Sequence, residues 1–71
     1  MAEHLVNNIR TLRFLQAEMT QGELGQKVGV TRQTVAAIEQ GRYSPSLETA
    51  LRIARVFGKP VEEIFRWKTD D

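Results

Sequence analysis

A chain of 71 residues, 41% of them apolar, has room for one domain around one small core. Ten Lys and Arg face nine Asp and Glu for a formal net charge of +1, so generic polyanion binding is excluded and any contact with nucleic acid must come from where the charges are placed. The absence of Cys excludes a disulfide framework and a thiolate metal centre, no apolar run approaches the roughly 18–20 residues of a membrane span, and the opening Met1-Ala2-Glu3-His4-Leu5-Val6-Asn7 lacks the basic stretch, apolar stretch and cleavage site of a secretory leader, so a soluble cytoplasmic protein is expected.

The first segment, about Leu5 to Ala17, places Leu5, Ile9, Leu12 and Leu15 at helical spacing, with Arg10 and Arg13 on its more polar side. Thr20-Gln21-Gly22-Glu23 then reads as a capping box, in which the Thr20 hydroxyl accepts from the Glu23 amide and the Glu23 carboxylate from the Thr20 amide. A short helix of about Gln21 to Val28 follows, with Leu24 and Val28 on one face and Gly29 at the left-handed stop. After Val30 alone, Thr31 caps a third helix whose narrow apolar stripe is Val35 and Ile38 and which Gly41 ends after Gln40. Two short helices across so tight a turn make a helix-turn-helix unit. Arg42-Tyr43-Ser44-Pro45 is a loop. Ser46 caps a fourth helix carrying Leu47, Ala50, Leu51, Ala54 and Phe57, and Gly58 ends it. Pro60 suits the first turn of a fifth helix, with Glu62 and Glu63 at its positive end and Ile64 and Phe65 as its apolar face. Arg66 to Asp71 reads as a polar tail containing Trp67. The expected architecture is therefore all-α, with five helices, no strand and short connections.

The stretch from Thr20 to Gly41 closely resembles the helix-turn-helix of the Cro/CI repressor family, the XRE-like regulators. Tyr43-Ser44-Pro45-Ser46-Leu47-Glu48, Ala54-Arg55-Val56-Phe57-Gly58 and Glu62-Glu63-Ile64-Phe65 are similar to the same family. The likeness covers a domain of about 9–65, with the helix-turn-helix unit at about 20–40 and a tail at 66–71. It implies a five-helix, lambda-repressor-like DNA-binding domain whose third helix lies in the major groove, and a homodimer on a palindromic operator. Two features depart from the family pattern. Gly25 stands where helix two usually carries Ala, a small residue being wanted because helices two and three cross closely; Gly keeps the fit but costs about 1 kcal/mol of helix propensity. The stretch from Arg13 to Met19 is one residue longer than the commonest spacing, which leaves open whether Arg10 or Arg13 faces DNA.

Recognition needs phosphate contacts for position and base-edge contacts for sequence. Arg32 and Gln33 stand at the N-terminal end of helix three, beside the capping Thr31. Arg bonds guanine O6 and N7 together, and Gln bonds adenine N6 and N7 together. Thr34 suits a phosphate or a thymine methyl, and Ala37, one turn beyond Gln33, suits a thymine methyl. The alternative for Arg32 and Gln33 is a solvated first helical turn. The family pattern implies that Gln21, at the start of helix two, bonds a phosphate and braces Gln33; otherwise it is a surface residue. Gln40 and Arg42 bracket the Gly41 turn as backbone clamps. Tyr43 offers a hydroxyl to phosphate or packs on the core rim, and Arg10 and Arg13 are clamps or solvated charges. From Gln21 to Arg42 the charge sums to +1, and from Val61 to Asp71 to −2, so the acidic excess lies away from the proposed DNA face. In the family the position of Glu39 usually points inward, and Glu39 is expected to pair with a cation or with backbone amides.

Enzymatic readings find no support. His4 is the single His, near a terminus expected to fray, and no Ser-His-Asp set, phosphate loop, metal-ligand spacing or cofactor motif is present. Glu62 and Glu63 are adjacent on a helix and point apart. One such domain covers a half-site, so helix five and the tail are the candidate dimer surface. If the tail is extended, Phe65 and Trp67 share one side; the alternative is that Trp67 folds over the monomer's own core. The expected function is a sequence-specific transcriptional regulator, a repressor acting on double-stranded DNA as a homodimer, without membrane attachment or an evident small-molecule effector domain. An antitoxin-type protein that binds DNA and masks a toxin is the alternative. An interaction module that has lost DNA binding is the third reading, against which Gln21, Arg32, Gln33 and Arg42 argue.

Overall fold

The structure, a computed structural model, describes residues 2–70. Strand β1 (Ala2–Asn7) leads into helices α1 (Ile9–Leu15), α2 (Gln21–Val28), α3 (Arg32–Glu39) and α4 (Leu47–Phe57). A single 3-10 turn (Val61–Glu63) and strand β2 (Phe65–Asp70) complete the order. The fold is thus four helices with a two-stranded antiparallel sheet, which corrects the all-α, five-helix expectation. Among the described residues no helix is long and apolar enough to cross a membrane.

The middle of the chain follows its local signals. Thr20 Oγ1 accepts from the Glu23 amide at 3.0 Å and Glu23 Oε1 from the Thr20 amide at 2.8 Å, so both halves of the capping box form. The Thr20 amide and hydroxyl hold the Glu23 carboxyl below the ordinary Glu range, and Lys27 adds to the effect. Thr31 and Ser46 cap α3 and α4 by accepting from the amides of Thr34 and Thr49. At the end of α3, Gly41 takes φ +77°, the Gly41 amide donates to the Ile38 carbonyl, and the Arg42 amide reaches back to the Ala37 carbonyl. That paired closure needs a left-handed residue, which Gly supplies without steric cost.

Ile9, Leu12, Met19, Leu24, Val28, Val35, Ile38, Ile53, Ala54 and Ile64 form one buried core. On the helices, the expected stripe residues Leu15, Leu47 and Leu51 are exposed, at 78%, 74% and 51%. On α4 the buried positions are Ala50, Ile53 and Ala54, so the inward face is turned from the one expected. At Gly25 an added Cβ would stand 2.6 Å from the Val30 carbonyl oxygen and 3.3 Å from the Thr31 backbone. The turn before α3 therefore packs on α2 more closely than an Ala side chain fits without a shift, which favours Gly25 there despite its helix-propensity cost. The long connection after α1 is absorbed by Ala17 and Glu18, both left-handed at φ 55° and 53°, before the Met19 amide returns to the Arg13 carbonyl at 2.9 Å.

Both ends of the chain depart from the helical reading. Leu5 sits at helical distance from Ile9, yet it belongs to β1, where it lies opposite Trp67. Asn8 alone separates the two elements and is the N-cap of α1. The expected fifth helix stops after one turn, because Phe65, Trp67 and Thr69 alternate with Arg66 and Lys68 in a pattern suited to a strand. The stretch read as a polar tail is thus β2 through Asp70; Asp71 lies outside the described residues. His4 is not on a frayed end but in β1, opposite Lys68.

Candidate nucleic-acid interface

The α2–turn–α3 unit is packed from within by Leu24, Val28, Val35 and Ile38, all buried. On the opposite side of α3, Gln33, Ala37 and Gln40 recur at i, i+4 and i+7 and so lie in one row. Gln33 and Gln40 are exposed and Ala37 is half-buried. Arg32 and Thr31 are exposed at the N-terminal end of this row, and Thr34 is half-buried with its hydroxyl 3.0 Å from that of Thr31. The chain therefore presents a guanidinium, a carboxamide and a methyl on one turn and a half of helix, the groups that base edges recognise.

Arg32 does not extend the row directly. Its Cδ lies 3.9 Å from where a Gly22 Cβ would stand, so its stem runs along the start of α2. With Arg13, Phe14, Glu18, Met19, Thr20, Gln21 and Gly22 it surrounds a shallow depression there. Phe14, 70% exposed at this rim, is a surface residue that sequence reasoning did not single out; its position off the Ile9–Leu12 stripe was the available signal.

Beneath the row, one carboxylate gathers the unit together. Glu39 Oε2 accepts from Arg13 Nε at 2.6 Å, and Oε1 accepts from Arg13 Nη2 at 3.0 Å and from Gln21 Nε2 at 3.2 Å. The Arg13 and Glu39 side chains are only 14% and 8% exposed. The third Arg13 nitrogen, Nη1, donates to the Met19 carbonyl at 2.8 Å. This two-pronged pair meets the expectation that Glu39 turns inward onto a cation. On α1, Arg13 is therefore engaged inside the protein, whereas Arg10 is exposed. Gln21 donates to Glu39 and not to Gln33, so the expected brace is not formed.

The loop after α3 continues the polar surface. Arg42 Nε donates to Gln40 Oε1 at 2.7 Å, and both residues are exposed. Tyr43 is 53% exposed and stands over a groove. Leu5, Phe65 and Trp67 of the sheet form one wall of that groove, and Pro45 with the end of α3 forms the other. Trp67 is 66% exposed and does not fold over the core. Leu5, Asn7, Phe65 and Trp67 share a sheet face by register.

Comparisons with known proteins agree with this geometry. A family model described as helix-turn-helix matches residues 9–64. An uncharacterized HTH-type transcriptional regulator of Methanocaldococcus jannaschii is 45% identical over 65 residues, covering 92% of this chain and 97% of that protein. The HTH-type regulator YgzD of Bacillus subtilis is 49% identical over 59 residues, 83% of this chain and 88% of its own. The cryptic phage CTXphi transcriptional repressor RstR of Vibrio cholerae is 36% identical, with 82% of this chain and 51% of that one aligned. In three dimensions a crystallised protein from Bacteroides fragilis superposes with a TM-score of 0.73 at 16% identity, over 87% of this chain and 98% of that one, a likeness of fold.

Proposed function

From the premise that this chain belongs to the Cro/CI-type helix-turn-helix family of transcriptional regulators, a family of DNA-binding proteins and not of enzymes, we propose that it is a cytoplasmic repressor that binds a palindromic operator as a homodimer. Helix α3 enters the major groove with Arg32 and Gln33 reading base edges, Ala37 against a thymine methyl and Thr31 and Thr34 at the groove wall. Gln21, Gln40, Arg42, Tyr43 and Arg10 hold phosphates on either side. The observation that carries this reading is the division of labour on α3. Its polar row is left open to solvent, while its acid, Glu39, is turned inward and neutralised by Arg13.

The second copy seats on the sheet. Leu5 and Trp67 face one another across the strands and remain exposed, and Phe65, Tyr43 and Pro45 extend the apolar surface along the same groove. The groove is bounded by the last turn of α3. A copy docked there turns the C-terminal ends of the two reading helices toward the twofold axis and their N-terminal ends outward along the duplex. Successive major grooves on one face are about 34–36 Å apart, which sets the spacing the dimer must meet.

Selection of random duplex DNA by the purified protein tests the reading. Recovery of paired, inverted half-sites about one helical turn apart is expected. Recovery of unrelated sequences by a folded protein overturns it. The antitoxin-type alternative rests on Phe14, Leu15, Leu47 and Leu51, four large apolar side chains left exposed on the helices. It predicts a stable complex with a second protein and is the reading to pursue if selection recovers nothing.

A further inference from the structure

One short side chain joins the sheet to the reading helix. Asn7 is the last residue of β1, opposite Phe65. Its Nδ2 donates to the Ile38 carbonyl at 2.9 Å, across 31 residues of chain. Its Oδ1 accepts from the Ile9 amide, the first of α1, at 3.2 Å. The Ile38 carbonyl also receives the Gly41 amide at 3.0 Å, so both its lone pairs are engaged at the point where α3 ends and the Gln40–Arg42 loop begins. Ile38 is buried and Asn7 half-buried, so the bond is largely shielded from water. The position demands a donor and an acceptor on one short arm, which a carboxamide supplies; a carboxylate accepts but cannot donate, and an aliphatic residue does neither.

Resting on the reading of α3 as the DNA-contacting helix and of the sheet as the seat of the second copy, we infer that Asn7 is a positioning residue for operator recognition. It transmits the location of the dimer sheet to the last turn of α3, and so sets the separation and tilt at which the two reading helices meet DNA. Asn7 itself lies behind α3 and touches no base. Its contribution is to half-site spacing, a property that belongs to the dimer and not to either domain.

Asn7→Asp retains an acceptor for the Ile9 amide, loses the bond to Ile38 and sets a carboxylate oxygen against that carbonyl. Binding is measured against three duplexes: the selected palindrome, and the same half-sites moved together or apart by one base pair, a step of about 3.4 Å. The unaltered protein is expected to prefer its own spacing by tenfold or more, as the loss of one well-formed contact set implies ~tenfold. Asn7→Asp, shown to be folded and dimeric, is expected to prefer it by less than about threefold while binding an isolated half-site as before. A purely structural role would lower affinity for all duplexes alike and leave the preference intact, which overturns the inference. If Asn7→Asp does not fold, Asn7→Ala, which removes the donor without adding charge, is read by the same criterion. An unaltered protein that selects no paired half-sites removes the dimer reading and this inference together. One that selects them, with a variant that keeps the full spacing preference, removes only the role of Asn7.

Discussion

Between Thr20 and Gly41 each helix end is closed by a neighbour a few residues away, whereas β1 finds its partners at the far end of the chain. The two regions differ in what they leave unsatisfied. The α2–α3 unit buries its apolar side chains, pairs its inward acid and shows polar groups to solvent. The β1–β2 ribbon pairs its main chain but leaves Leu5 and Trp67 uncovered. The helices leave apolar side chains uncovered too, at Phe14, Leu15, Leu47 and Leu51, but on α1 and α4 and away from the polar row of α3.

The comparison breaks most severely at Arg13. Arg13→Met strands the Glu39 carboxylate at a site only 8% exposed, and removal of one partner of such a pair costs about 3 kcal/mol. Urea unfolding should show that loss, with DNA binding failing alongside; an unchanged midpoint would mean that water already solvates Glu39. The two faces separate cleanly at Trp67 and Arg32. Trp67→Ser should weaken self-association by at least about tenfold, seen by analytical ultracentrifugation, with little change in the unfolding of the monomer. Arg32→Ala should leave association alone, lower affinity for the selected operator by about 2 kcal/mol and relax preference at one base pair. Equal loss on every sequence would reassign Arg32 to the phosphates along the start of α2. The smallest effect is expected at Gly25. Gly25→Ala gains about 1 kcal/mol of helix propensity but meets the Val30 carbonyl, and overpacking against backbone costs about 2 kcal/mol, so the melting temperature should fall. A rise would show that the turn yields.

Local chemistry accounts for what was legible in the sequence. The hydroxyls of Thr20, Thr31 and Ser46 and the glycines at 29, 41 and 58 act on amides and carbonyls within one turn, so the bounds of α2, α3 and α4 follow from them directly. Strand pairing has no such local signature. Leu5 lies four residues before Ile9, and only the distant partner Trp67 decides that this spacing is accidental. The exposed Leu47 and Leu51 teach the same lesson on α4, where Ile53 takes the inward position and α4 packs against α2 and the 3-10 turn. Within the site, the exposed residues of α3 were legible from the caps and the narrow Val35–Ile38 stripe. The Arg13–Glu39–Gln21 cluster was legible only in the need of Glu39 for an inward cation. Which arginine answers depends on how Ala17 and Glu18 turn the chain, and side-chain spacing carries no information about that.

The register of the ribbon has a mechanical consequence. Because Ala2 lies opposite Asp70 and Asn7 opposite Phe65, a force drawing the chain ends apart acts across the ladder and not along it. The pairs then open in sequence from the outside, each bearing the load alone, so the ribbon peels at low tension where a sheared sheet would resist. Peeling arrives last at Asn7, whose side chain is anchored to α3, and there the load first reaches the helices.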